Sequence, residues 1–240
     1  MIAEYAPAWI IVGIAFWPSP ACPAVGTDAE VLKLQGPNTR VIDAGVGGKA
    51  AVDLPEAKNI VGAFWPAWAV IADTAHLATL PLDRLRDGVA EAIKAAIIGD
   101  PDLWHLIVDR GDGALDGTDD PARYAITERA VRVKLGVVRR DPWEAGERRQ
   151  LNLGHTIGHA LEIASGYTLA HGAAVAIGLR AACVLAAGRG GAQVLAPELD
   201  DLLERLGFRL RHAFEPDAVR AALRADKKRA AGRQRWLLPM

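Results

Sequence analysis

The chain has 240 residues, 51% of them hydrophobic, enough to fill the core of one large domain or two small ones. Its 28 basic and 29 acidic side chains leave a formal net charge of -1, which excludes recruitment of nucleic acid or an anionic membrane by a bulk field, so any anionic partner must be met by local charge. Cys22 and Cys183 lie far apart in unrelated contexts, which argues against a disulfide framework or a Cys-based zinc site and suits a reducing cytoplasm.

In chain order, the first apolar stretch, "AWIIVGIAFW" (8–17), is too short to span a bilayer and runs into "PSPACP". The residues before it carry Glu4 and no Lys or Arg, so a cleaved signal peptide is not expected. "WIIVGI" (9–14) predicts a buried strand, and "EVLKLQ" (30–35) and "AVIADT" (69–74) predict short further strands. With the glycine-rich "DAGVGGKAAVDLPEAKN" (43–59) between them, residues 1–75 read as a small α/β region with long loops.

Residues 76–240 change to helical spacing. "PLDRLRDGVAEAIKAAII" (81–98) puts Leu82, Leu85, Val89, Ile93 and Ile97 on one face, and Pro81 and Asp83 suit a helix start. Further helices are predicted over 120–138, 151–164, 171–187, 197–207 and 215–228, separated by Gly, Pro and Asp. "GDGALDGTDDPA" (111–122) reads as a polar loop. The fold class is therefore an α/β N-terminal region followed by a mainly α-helical domain.

Within "LNLGHTIGHALE", His155 and His159 share a helix face at i and i+4. Alone, such a pair fits either a metal or substrate site or two ordinary helix histidines, and His171 before Gly172 is equally neutral by itself. Glu91 and Lys94 stand at i and i+3 among Ala, Ile and Val. They form either a surface ion pair or a buried carboxylate that needs a cation, and with two neutral imidazoles such a carboxylate makes a three-ligand zinc-type site with an open position. Spacing alone does not gather the remaining basic groups.

"DAGVGGKAAVDLPEAKNIVGAFW", "GVAEAIK", "RVKLGVVRRDPWEAGERRQLNLGHTIGHALE", "HGAAVAIG" and "DKKRAAGRQRWLLP" resemble, in order and spacing, successive motifs of the 3-dehydroquinate synthase family over roughly residues 40–239. The resemblance implies a nucleotide-binding-like region over 1–75 and a metal- and substrate-binding helical domain over 76–240. It implies a catalytic Zn²⁺ (or Co²⁺) on Glu91, His155 and His171, with His159 in the substrate pocket rather than on the metal. Asp43, Lys49, Lys58 and Asn59 match the loop that meets cofactor and substrate. Lys134, Arg148 and Asn152 match groups that hold the substrate's carboxylate, hydroxyls and phosphate. Glu144 and Lys94 match further pocket residues, and Lys227 and Lys228 match the C-terminal basic motif.

The activity so implied is conversion of 3-deoxy-D-arabino-heptulosonate 7-phosphate to 3-dehydroquinate in the shikimate pathway of aromatic amino acid biosynthesis. It combines NAD⁺ oxidation of the C5 hydroxyl, β-elimination of phosphate, reduction of the ketone, and ring opening with aldol closure. The implied assembly is a cytoplasmic homodimer. Two other readings fit the residues: an aminodehydroquinate synthase or related sugar-phosphate cyclase of secondary metabolism, and a non-catalytic homologue that binds metal or a partner subunit. The sequence departs from the family where a "GGGxxGD" turn would follow the first strand. "FWPSPACP" there puts Phe16, Trp17 and three prolines in place of the glycines that let backbone N–H groups reach a pyrophosphate, so weak NAD⁺ binding is expected.

Overall fold

The structure is a computed structural model that describes residues 46–54, 57–64, 72–191, 195–225, 229–230, 233–234 and 236–239. The strands predicted over 9–14 and 30–35 lie outside the described residues. The helical reading of the second part holds, and it organises around α1 (Leu82–Gly99). Pro81 supplies its N-cap and Asp83 an acidic first turn, both suited to the positive end of a helix. Of the predicted apolar face, Ile93 is fully buried and Leu85, Val89 and Ile97 pack against the core. Leu82 is instead 43% exposed, because it belongs to the first turn, ahead of the packed segment. From Ala90 to Ala96 every residue is buried, since alanine lets neighbouring helices approach on all sides. Helices α2 (Pro101–Asp116), α3 (Asp120–Arg140) and α5 (His171–Ala187) all contact α1.

Helix α2 was not expected, and its last turn and a half occupies what reads as a polar loop over 111–122. The reason is tertiary: Leu103, Ile107, Ala114 and Leu115 are buried on one face, and that burial outweighs the poor helix propensity of Gly111 and Gly113. Its ends carry ordinary signals. The Asp100 carboxylate accepts from Leu103 N–H at 3.0 Å, Pro101 follows, and Gly117 closes the helix at φ 86°. The strand predicted over 69–74 is also corrected in part. Asp73 accepts from Ala75 N–H and starts a 3₁₀ helix at Thr74–Thr79 instead.

An antiparallel hairpin not foreseen in the glycine-rich stretch pairs β1 (Lys49–Leu54) with β2 (Ala57–Phe64), Lys49 opposite Phe64. A second short pair, β3 (Arg229–Ala230) and β4 (Arg233–Gln234), lies near the C-terminus. A second 3₁₀ helix (Glu147–Asn152) packs on α1 and α3 and leads into α4 (His155–Ala164). Helix α6 (Leu195–Arg205) packs on α5, and α7 (Pro216–Ala225) on α4. Ile93, Leu103, Ile107, Val175, Leu179, Cys183, Leu199 and Leu203 form the interior. Burial, reinforced by Asp200, pushes the Cys183 thiol up to about 12, so it acts as a small apolar filler. No helix among the described residues is long and apolar enough to cross a membrane.

Helices α4 and α5 meet almost backbone to backbone. A Cβ at Gly178 would lie 2.0 Å from the Gly154 carbonyl oxygen, and Gly154 itself has φ 76°. This contact sets α5 against the start of α4, where His155 sits. Gly178→Ala is expected to cost about 1 to 3 kcal/mol by overpacking and to lower the melting temperature by about 3 to 10 °C. Gly99→Ala, where no atom lies within 4 Å of the added Cβ, should leave it within about 2 °C. A thermal melt of both variants checks the contrast.

Candidate active site

The site begins with Glu91, brought into the core by the alanine-rich turns of α1. Its side chain is 4% exposed and that of Lys94, one turn on, 5% exposed. The pair is therefore buried and not a surface pair. Lys94 Nζ donates to Oε2 of Glu91, which leaves Oε1 facing elsewhere. His155, the first residue of α4, places Nε2 3.4 Å from that Oε1, and His171, the first residue of α5, places its Nε2 3.5 Å from it. Ligand atoms of the three side chains all lie within 4.8 Å of one another.

Both imidazoles are oriented from behind. The Nδ1–H of His155 donates to the Leu153 carbonyl at 3.1 Å, and that of His171 to Glu162 Oε1 at 3.3 Å. A carbonyl and a carboxylate only accept, so each contact puts a proton on Nδ1 and turns Nε2 toward Glu91. Burial pushes the Glu91 carboxyl up, but Lys94 and His155, with His171 beside it, outweigh this and hold it well below the usual carboxylate range. Burial pushes the His171 imidazole down, but Glu162 and Glu91 outweigh it and raise it to about 10. Two carboxylates thus draw positive charge to this corner, and a proton or a metal cation answers the same field.

A cation fits the residues present. Glu91 Oε1 and His171 Nε2 are buried polar atoms without a hydrogen-bond partner, an arrangement costly to leave unsatisfied. One carboxylate oxygen and two imidazole nitrogens match a three-ligand zinc-type donor set, and the His171 side chain is 37% exposed.

His159 follows one turn after His155 on α4. Its ring centroid lies 5.3 Å from that of His155 and 6.3 Å from that of His171, so it borders the cluster without joining the ligand set. Arg148 is 3% exposed; it donates to the Pro142 carbonyl at 2.6 Å and the Gly47 carbonyl at 2.7 Å, tying the helical domain to the glycine loop before β1. Asn152 donates from Nδ2 to Glu144 Oε1 at 2.8 Å, and Glu144 holds a left-handed backbone at φ 59°. Lys134 is buried on α3. Lys49 lies on β1, and Lys58 and Asn59 lie on β2. Asp43, Lys227 and Lys228 lie outside the described residues.

Two groups were missed from sequence. Glu162 lies two turns beyond His155 on α4, and the Asp141 carboxylate gathers the backbone N–H groups of Ala145, Gly146 and Arg148 at 2.8 to 2.9 Å. Asp141 thereby folds the loop that carries Glu144 and Arg148. Its signal was an Asp-Pro pair at the end of a helix, which marks a turn.

Residues 30–87 match the family described as 3-dehydroquinate synthase N-terminal, and residues 88–229 that described as 3-dehydroquinate synthase C-terminal. A 3-dehydroquinate synthase of Xanthomonas campestris pv. campestris (strain 8004) is 45% identical over 208 residues, covering 82% of this chain and 56% of that protein. One of Xylella fastidiosa (strain 9a5c) is 45% identical over 212 residues, covering 82% and 52%. The chain thus spans about half the length of the curated relatives it matches. Among solved structures, 2-epi-5-epi-valiolone synthase from Streptomyces hygroscopicus subsp. jinggangensis 5008, with NAD⁺ and Zn²⁺ bound, superposes with a TM-score of 0.76 at 32% identity, over 84% of this chain and 57% of that one. A 2-deoxy-scyllo-inosose synthase complexed with carbaglucose-6-phosphate, NAD⁺ and Co²⁺ superposes with a TM-score of 0.63 at 26% identity, over 80% and 53%.

A His171→Ala variant is expected to lose most bound metal, from about one Zn²⁺ per chain, whereas His159→Ala should keep it. Metal content after dialysis, measured on both proteins, checks this; equal loss in the two would overturn the assignment of ligands.

Proposed function

Because this chain belongs to the 3-dehydroquinate synthase family, we propose that it carries out the family's cyclisation of 3-deoxy-D-arabino-heptulosonate 7-phosphate to 3-dehydroquinate with loss of phosphate, as a homodimer in the cytoplasm. The observation that carries the reading is a pair of buried atoms without a hydrogen bond, Glu91 Oε1 and His171 Nε2, 3.5 Å apart in a carboxylate and imidazole cluster beside His159.

Glu91, His155 and His171 would hold Zn²⁺ or Co²⁺. When bound, the metal supplies Lewis-acid polarisation of a substrate oxygen and NAD⁺ supplies a hydride acceptor. The chain's own residues bind and orient. The substrate carries a carboxylate and a phosphate, so it needs several local cations. Arg148, Lys134 and Lys94 are buried cations in a protein of net charge -1, and Lys49, Lys58, Lys227 and Lys228 are assigned the same task. Arg148, held in place by the Pro142 and Gly47 carbonyls, is assigned the charge that faces one anionic group. Asn152, oriented by Glu144, presents its carboxamide to a hydroxyl or phosphate oxygen, and Asn59 is assigned a hydroxyl. His159, beside the cluster, moves a proton or orients the phosphate that removes one. Asp43, Lys49 and Lys58 are assigned to the cofactor side.

The test is phosphate release from the heptulosonate phosphate with Zn²⁺ present and NAD⁺ varied. "FWPSPACP" stands where the family resemblance expects pyrophosphate-binding glycines; a loss of two or three N–H contacts, each worth about 1.5 to 3 kcal/mol to a charged group, would leave the rate still rising at about millimolar NAD⁺. Release that saturates at micromolar NAD⁺ would overturn the weak-cofactor reading. No release at any NAD⁺ concentration, with metal bound, would overturn the activity.

A further inference from the structure

Helix α5 starts without a cap of its own. Its N-cap residue, Ala170, has no side-chain acceptor, although the first turn of any helix carries N–H groups with no partner inside the helix. The acceptor comes from another helix. Asp87 of α1 takes the Gly172 N–H on Oδ1 at 2.8 Å, the second helical N–H, which a capping side chain normally serves. Its other oxygen is held by Arg84 at 3.3 Å. The backbones touch here as well: a Cβ added at Gly172 would lie 2.3 Å from Asp87 Cα, so a larger residue would push α5 off α1.

Both partners in this contact adjoin the metal cluster. Gly172 follows His171 directly, and Asp87 precedes Glu91 by one turn on the same face of α1. The hydrogen bond therefore fixes the first turn of α5 against α1 at the place where His171 Nε2 and Glu91 Oε1 stand 3.5 Å apart. The side chain of Asp87 is only 13% exposed, which shields the contact from water, and its negative charge suits a helix N-terminus.

We propose that Asp87 is a positioning residue for the metal site, setting the separation of His171 and Glu91 by capping α5 from α1. The proposal rests on Glu91, His155 and His171 being the ligands. A carboxylate that merely tied two helices together would affect melting but not the ligand field of a bound metal.

Co²⁺ titration of the full chain, followed by visible absorption, separates these roles. Wild type should bind about one Co²⁺ per chain. Asp87→Asn, which keeps an acceptor oxygen of the same reach, should retain the wild-type spectrum. Asp87→Ala should bind Co²⁺ at least about tenfold more weakly, as for loss of an outer-shell partner, with altered band intensities. A folded Asp87→Ala protein with wild-type affinity and spectrum would overturn the proposal. If that variant does not fold, Asp87→Glu decides, because it keeps the charge but moves the acceptor by one methylene: changed bands support positioning, and unchanged bands and affinity overturn it. Wild type that binds no Co²⁺ would overturn the ligand assignment itself, and Asp87's proposed role with it.

Discussion

The structure depends on a buried carboxylate. Glu91 sits at 3% exposure in the buried, alanine-rich turns of α1 between Ala90 and Ala96, where an isolated charge would be prohibitively unfavourable. Three elements answer it. Lys94 comes from the same helix one turn on, His155 from the start of α4, and His171 from the start of α5. Each must arrive with its nitrogen aimed inward, so the placement of two helix N-termini is tied to one side chain. The Glu91 and Lys94 pair is poorly placed to raise stability for its own sake, because well-packed apolar residues do as well or better in such positions. Its retention in the core makes sense as chemistry.

The helix packing follows from that demand. For His155 and His171 to meet one carboxylate, α5 must start close against α1 and α4 close against α5, closer than side chains of ordinary size permit. Small residues supply the approach: alanines along α1, Gly154 against Gly178, and Gly172 against Asp87. The apolar side chains that close the core, Ile93, Val175, Leu179 and Leu199 among them, lie to one side of the polar cluster. The hydrophobic core holds the helices together, and the glycine contacts decide how near the ligand-bearing turns come.

Most helices were legible because their periodicity and caps agree. Helix α5 was read over the same residues, 171–187, that the structure gives it, and α1 within a residue. Helix α2 was not, because glycine and aspartate over 111–116 mask a face that only burial of Ala114 and Leu115 reveals. The hairpin over 49–64 was hidden too: its alternation is weak and Pro55 and Glu56 interrupt it. In the site, residue types were legible but their meeting was not. No spacing rule links a glutamate in α1 to histidines at the starts of α4 and α5, and the two histidines of α4 are equivalent until the helix is turned against Glu91. The family resemblance chose His155 over His159, and in the folded chain His155 Nε2 lies 3.4 Å from Glu91 Oε1. The Asp141-Pro142 pair marks a turn in the sequence, but the three N–H groups that Asp141 gathers and the contact of Glu162 with His171 appear only when the chain is folded.

Charge balance decides what the cluster of Glu91, His155 and His171 can attract. Counted with the imidazoles unprotonated, Glu91 and Glu162 bring two negative charges to the cluster and Lys94 one positive. Without a cation the corner is negative, which explains why His171 is drawn toward protonation. A divalent ion turns the balance positive, in surroundings where burial weakens screening. A ligand carrying a carboxylate and a phosphate then meets attraction instead of repulsion, reinforced by buried Lys134 and Arg148 on the adjoining elements. A metal ion and an anionic ligand should therefore favour each other's binding, even in a chain whose formal net charge is -1.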